Sequence, residues 1–435
     1  MECNSEIIMG KFRQKKVLVL GSNVGSCDIV NYAKDNGAYT IVADYLQEKD
    51  SPAKIIANES ILLSTGNIES LVKFVTDNKI DAILSGVSEF NILNAMEISK
   101  LSNLPFYCNK SQWDVVEHKD QFRFLCNKFN IPTPNTYFCG SIAEFDINIV
   151  TNYPVVVKPI DGSSSIGVFI CNSKLELEEK IIISSKESMS GEIIIEDFFE
   201  GDEFSVHYTI VNGESYLSSM DNRYPIKINN GNVTSIPIAR IYPSRFLQEY
   251  VKQVDSNMKE LCNSLKLKTG VLFIQGLYNE KTNTFAIFEA GLRSAGEAPY
   301  RIIEKLNRNN YLKNMVDEAL LGRVTNFDPL REDPMFNNKI CAVISLVSKG
   351  GVIGNITGFD EIEKKVSSII DKECRYSVGA VVPIGNTLKQ IVIRFVLICN
   401  SVSELISDIE KINSNVNIYS TNGEDMCLKF NPQLL

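Results

Sequence analysis

A lysine set inside an apolar run is the first residue in this sequence with the makings of chemistry. In Pro154–Pro159 (PVVVKP), Lys158 shares a strand face with Val156, while Val155 and Val157 take the other. Burying an ammonium group there is costly unless an anion meets it. The next residues, Asp161-Gly-Ser-Ser-Ser-Ile-Gly167, bring two glycines, the hydroxyls of Ser163, Ser164 and Ser165, and backbone N–H donors. Donors of this kind can close over phosphates. The plainer alternative is a polar hairpin loop with a lysine that snorkels to water.

Three further groupings stand with it. The run Ile193–Phe199 (IIIEDFF), followed by Gly201-Asp202-Glu203, ends an apolar strand in acids and aromatics. Its backbone could bond a purine edge and a carboxylate could bond a ribose, although a solvated strand end has the same composition. Gln275 and Glu289 fall on the two strands of a predicted hairpin turning near 279–283. They are roughly level, so both oxygens could face one Mg²⁺, and Arg293 follows four residues later. Polar pairs are also common on wet sheet faces. Last, Gly21-Ser-Asn-Val-Gly25 follows a short strand and exposes N–H groups that suit an anion, yet a full GxGxxG is absent. A tight turn or part of a substrate pocket fits that segment better than a nucleotide site.

The elements that must position these residues divide into three regions. Over 1–111, strand signals (KVLVL, TIVAD, DAILSG) alternate with helix-like stretches, which predicts a parallel α/β layer. Over 112–330, a helix at 119–129 stops at Ile131-Pro-Thr-Pro134. Antiparallel strands then follow, with NG turns at 212–213 and 230–231 and a helix near 246–265, giving an α+β region. Residues 331–435 read as a smaller α+β unit after a linker at 331–338, with strands at 339–347, 377–382 and 390–397.

Composition narrows the function classes. The chain has 435 residues, 44% of them hydrophobic, and a formal charge of −9. A net acidic surface argues against nucleic acid or an anionic membrane as partner. No apolar window reaches the ~20 residues that span a bilayer. The eleven scattered cysteines form no CxxC pair, which suits a reducing cytoplasm. With only His118 and His207, a histidine zinc site or a Ser-His triad lacks material, so any metal should be a hard one held by oxygen.

Taken in chain order, these segments resemble the ATP-grasp superfamily, close to its carboxylate–amine ligase branch. The likeness covers nearly the whole chain. DAILSGVSEFNILNAMEISKLSNLPFYC resembles the end of the pre-ATP-grasp domain, and HKDQFRFLCNKFNIPTP the lysine-bearing helix with its Pro-rich exit. PVVVKPIDGSSSIGV is similar to the second lysine strand and phosphate-covering loop, and IIIEDFFEGDEFSV to the adenine hinge and ribose carboxylate. GNVTSIPIARIYPS resembles the segment before the central helix, and FAIFEAGLRSAGE the E-x-N-x-R metal and phosphate motif.

The resemblance implies an ATP-grasp fold with an amino-terminal parallel α/β domain and a small α+β carboxy-terminal domain. It also implies ATP and Mg²⁺ as cofactors, and small-molecule carboxylate and amine substrates, amino acids among them, joined through an acyl-phosphate. A homodimer is compatible with it. Lys119, Lys158 and the loop serines would contact ATP phosphates. Glu196, with the backbone at Asp197 and Phe198, would hold adenine, and Glu203 the ribose. Glu289 with Gln275 would hold the metal, and Lys158 and Arg293 would serve the phosphoryl transfer. Glu89, Asp221 and Arg223 are candidate substrate contacts. Two positions depart from the family pattern: Gln275 stands where an acid is usual and Gly291 where the motif has asparagine. That weakened metal site leaves a second reading open, a nucleotide-binding regulatory protein without turnover. An NAD(P)-linked oxidoreductase built on the amino-terminal layer is the third.

Overall fold

The computed structural model describes residues 10–162, 166–227, 235–385 and 387–435. The amino-terminal layer is a four-stranded, all-parallel sheet in the order Glu59–Leu62, Tyr39–Asp44, Lys16–Leu20, Ala82–Ser85. Val17, Leu18, Val19 and Leu20 are fully buried, as expected for a strand covered on both faces. Helices Val24–Asp35, Ile68–Asn78 and Glu89–Leu101 start at side-chain caps from Asn23, Asn67 and Ser88. Glu89 therefore stands just beyond the carboxyl end of Ala82–Ser85, the side on which open parallel sheets bind ligands. The glycine-rich turn is tight. Gly21 has φ +78°, and a Cβ on Gly86 would lie 2.0 Å from the Asn23 Oδ1 that caps the first helix.

Two antiparallel sheets follow. The smaller runs Thr136–Ser141, Glu192–Asp197, Val155–Pro159, Phe169–Cys171, with helix Lys174–Glu187 against it. The larger runs Thr284–Gly291, Thr269–Asn279, Asp202–Val211, Glu214–Lys227, Ser235–Tyr242, Ile340–Ser348, Ile391–Cys399, Ile369–Cys374, and Cys427–Leu428 pairs off Ile340–Ser348. It crosses residue 331, because Ser235–Tyr242 pairs with Ile340–Ser348. The stretch read as a linker thus connects two parts of one sheet, and the last region's strands extend the same surface that carries the central ones.

Several elements differ from the sequence reading. The chain turns at Asn212-Gly213, where both residues have positive φ as that dipeptide favours. The second NG turn, at 230–231, lies outside the described residues. Helix Lys110–Glu117, strand Thr136–Ser141 and strand Ile369–Cys374 were not foreseen. Strand Ile369–Cys374 carries Asp371, Lys372 and Glu373, so it lacks the apolar alternation that marks a strand. Strand Glu214–Lys227 carries Asp221 and Arg223 into the sheet. The central helix spans Leu247–Ser264 and contains a π-helical turn at Val251–Asp255. Among the described residues, no helix is long and apolar enough to cross a membrane, and the ten described cysteines are all free.

Candidate active site

Lys158 lies where the alternation predicted, buried in the centre of the small sheet. Its Nζ is 2.5 Å from Glu196 Oε2, and Glu196 Oε1 accepts from Arg123 Nε at 2.6 Å. Glu196 is 2% exposed. Burial alone would raise its pKa, but Lys158 and Arg123 hold it at about 2. Burial pulls the Lys158 pKa down and Glu196 works against that pull. The Glu196 side chain is therefore committed to orienting two cations. The Asp197 and Phe198 N–H groups donate to the carbonyls of Asn135 and Pro154. The Glu196 carboxylate and the N–H groups of Asp197 and Phe198, part of the set expected to hold adenine, are thus bound by Lys158, Arg123 and the chain's own carbonyls.

The loop after Lys158 is tied at its root. Lys119, first residue of helix Lys119–Lys128, donates to the carbonyls of Ile160 (3.2 Å) and Gly162 (2.8 Å). Asp161 accepts from Ser188 Oγ and from the N–H groups of Met189 and Ser190, which hold its pKa below the usual carboxylate range against the effect of burial. Gly167 has φ +73°, and an added Cβ would meet Pro159 Cγ at 2.8 Å. Ser163, Ser164 and Ser165 lie outside the described residues.

Gln275 and Glu289 are direct cross-strand partners. A register shift follows at once, since Gly276 pairs with Ile287 and leaves Phe288 as the extra residue of a bulge. The bulge turns the Phe288 carbonyl to Arg123 Nη2 (3.1 Å), and the Lys158 ammonium lies 5.9 Å from the centre of the Phe288 ring. A bulge at this point joins the pair to the buried cations Arg123 and Lys158. Gln275 also faces Ser205 on its other side, and Ser205 faces Asp221. A polar line thus crosses four strands at one level.

The line leads to a second buried cluster that sequence reasoning missed. Arg240 Nη1 donates to Asp221 Oδ1 at 3.0 Å, and its Nε lies 3.3 Å from Glu297 Oε2. Arg394 Nη1 donates to the Gly296 carbonyl at 2.8 Å, with Glu297 and Glu373 within 4.0 Å of its guanidinium. The buried Arg394 Nε–H has no hydrogen-bond partner among the described residues. Burial would raise Glu297, but Arg240 and Arg394 hold it at about 2. Asp221 is fully buried, its oxygens taken by Ser205 and Arg240. Asp221, a candidate substrate contact, thus positions Arg240. Glu203 and Arg223, expected to serve ribose and substrate separately, form an ion pair with each other.

Arg293 reaches the amino-terminal layer. Its Nε and Nη2 lie 2.7 and 2.6 Å from Glu89 Oε1. Burial, then Glu89 and Glu289, push the nearby Glu117 carboxyl up to about 7, against the pull of Arg293 and Lys119. His207, fully buried, keeps a neutral ring because burial and Arg240 hold its pKa at about 3. Its Nε2 accepts the Ala295 N–H at 3.4 Å, steadying the segment between Arg293 and Glu297. Expected site residues from the first two regions therefore come together: Glu89 from the first, Lys158, Glu289 and Arg293 from the second. The third adds Arg394.

The depressed pKa values of Glu196 and Glu297 set the acid limb of stability. A carboxylate held below its ordinary 4.5 contributes stability that is complete above that value and is lost as pH falls toward about 2. Asp221, raised by burial, acts in the opposite sense. The urea-unfolding midpoint is expected to fall between about pH 5 and pH 3, with a shallower limb in Glu297→Gln. An identical limb in that variant would contradict the assignment.

A parallel α/β layer, a lysine-bearing small sheet and a large antiparallel sheet with a carboxylate hairpin define the ATP-grasp architecture, and the comparisons agree. Residues 151–299 match the model of the ATP-grasp domain. The L-amino acid ligase from Bacillus licheniformis superposes with a TM-score of 0.76 at 15% identity, covering 94% of this chain and 99% of that one. The phosphoribosylglycinamide synthetase from Anaerococcus prevotii does so with 0.72 at 17%, covering 93% and 99%. In sequence, the formate-dependent phosphoribosylglycinamide formyltransferase of Prochlorococcus marinus (strain NATL1A) is 27% identical over 193 residues, 43% of this chain and 49% of the relative. The chain spans about half the length of the first curated relatives it matches.

Proposed function

We propose that this protein is an ATP-dependent carboxylate–amine ligase that works through an acyl-phosphate. The observation that carries the reading is a second buried cation cluster, Arg240 and Arg394, on the sheet that also bears the Glu289–Gln275 pair. Among the described residues, Arg394 keeps an unpartnered N–H in that cluster. A buried, unsatisfied guanidinium N–H is costly, and a substrate carboxylate would satisfy it. On this reading Lys158, Lys119 and the loop at 161–167 take the nucleotide phosphates.

An unactivated carboxylate resists an amine because its leaving group would be oxide. Transfer of the γ-phosphoryl group to the carboxylate oxygen gives a mixed anhydride, and attack by the neutral amine then expels phosphate. The chain's own task is placement and charge neutralisation. Arg394 and Arg240 hold the carboxylate, and Lys158 and Arg293 meet charge that develops on the transferring group. Glu89 offers its carboxylate to the amine, which arrives as an ammonium and gives up a proton to that carboxylate or to water before it attacks. Glu289 and Gln275 form an all-oxygen donor set that fits a hard divalent cation, and Mg²⁺ bound there would neutralise phosphate charge.

The surroundings suggested are cytoplasmic, with small molecules and not nucleic acid as partners. Phosphate release from ATP, screened over a matrix of carboxylic acids and amines, tests the reading. Release is expected only when both an acid and an amine are present, amino acids first among them. Nucleotide binding with no substrate-dependent release would instead select the regulatory reading that the softened metal site motivates.

A further inference from the structure

We propose that Glu117 supplies the anionic oxygen ligand that Gly291 cannot, completing the cation site of Glu289 and Gln275. The inference rests on the metal assignment in the ligase reading and extends it to a residue outside every motif named above.

Glu117 ends helix Lys110–Glu117, which packs against strand Thr284–Gly291. Gly291 follows Glu289 by two residues, so its Cα–Cβ direction lies on the same face of that strand. A Cβ built at Gly291 would lie 3.8 Å from Glu117 Oε2. The carboxylate therefore looks at the one point on this face where the strand has no side chain of its own. A donor lost from the strand is replaced from the helix across it.

The surroundings of Glu117 leave its carboxylate free to take a further cation beside the Arg293 guanidinium. An acid in the last turn of a helix opposes the helix dipole. This one also feels the negative charges of Glu89 and Glu289. The guanidinium of Arg293 is bound to Glu89, and Lys119 gives two of its three N–H groups to the carbonyls of Ile160 and Gly162. Among the described residues no hydrogen bond or ion pair is made by Glu117. Two anionic carboxylates, Glu117 and Glu289, with one neutral oxygen from Gln275 form a donor set whose charge suits a hard divalent ion.

The test uses Mn²⁺ as the probe, its free concentration followed by electron paramagnetic resonance with a non-hydrolysable ATP analogue at saturation. Glu117→Gln keeps size and shape, and circular dichroism checks its fold. It is expected to weaken Mn²⁺ binding about tenfold or more. Gly291→Asn in the same protein should recover much of that loss, because the new Cβ would meet only ordinary contacts, the nearest 3.5 Å away at Arg293 Cγ. Wild-type Mn²⁺ affinity in Glu117→Gln, with affinity lost in Glu289→Gln, would overturn the role of Glu117 and leave the hairpin site standing. Wild-type affinity in both variants, with the analogue still bound, would overturn the hairpin site as well.

Discussion

Lys158→Ala is expected to lower ATP-dependent turnover by about 10²–10³ while the protein stays folded. Lys158 is buried against Glu196, and this has two consequences that must be separated. The first concerns stability. Removing one member of a buried pair costs about 3–5 kcal/mol when the other is left uncompensated. Here Arg123 still holds Glu196 Oε1 at 2.6 Å, so the loss should fall below that range. The second concerns rate, because a fixed ammonium beside a transferring phosphoryl group stabilises charge that grows in the transition state. Lys158→Arg separates the two. It keeps the charge and can keep Glu196 paired, but it moves the cation within a packed sheet. Expected results are a melting temperature near wild type for Lys158→Arg, a modest drop for Lys158→Ala, and impaired turnover in both. Turnover near wild type in a well-folded Lys158→Ala protein would reject the assignment.

How much of this site can be read in the sequence depends on which physical signal a residue leaves. Lys158 is legible because a charge inside an apolar strand must be answered by something. Arg394 leaves the same signal in IVIRFVLIC, as does Arg240 in PIARIY, but both lack a flanking glycine-serine loop to draw attention. Gln275 and Glu289 are legible as level because a hairpin fixes its own register once its turn is known. The bulge at Phe288, which aims that carbonyl at Arg123, depends on tertiary contacts and leaves no trace in the pattern. Asp221 and Arg223 show a different limit of the sequence. MDNRYP looks like a turn, and only the pairing of Glu214–Lys227 with strands on both sides buries it. The division at residue 331 has the same origin. Sequence shows a polar stretch between apolar runs, whereas strand pairing between residues about a hundred positions apart is a property of the fold. Glu117 leaves no signal, since an acid among Val115, Val116 and His118 reads as a solvated helix end.

Arg293→Met should separate binding from chemistry in an unusual direction. In the structure the guanidinium is bound to Glu89, and it also feels Glu289 and Glu117. In the proposed function Glu89 is the carboxylate offered to the substrate ammonium, and Arg293 is bound to that same carboxylate. An ammonium that binds Glu89 frees Arg293 to turn toward the transferring phosphoryl group. The exchange costs little, because Glu89 remains paired throughout and Arg293 moves from one anion to another. Removing the guanidinium should therefore do two things at once. Loss of its transition-state contact should lower kcat by about 10²–10³. Loss of the competitor at Glu89 should lower the apparent KM for the amine. Glu89→Gln should do the reverse, raising amine KM strongly while sparing more of kcat. A purely structural ion pair would give neither split, because breaking it from either side would cost stability alike and leave both kinetic constants drifting together. Steady-state kinetics of wild type and both single variants, read beside their melting temperatures, decide between the two. A higher amine KM in Arg293→Met than in wild type would remove Glu89 from the amine site and, with it, the exchange of partners on which the order of binding and phosphoryl transfer depends.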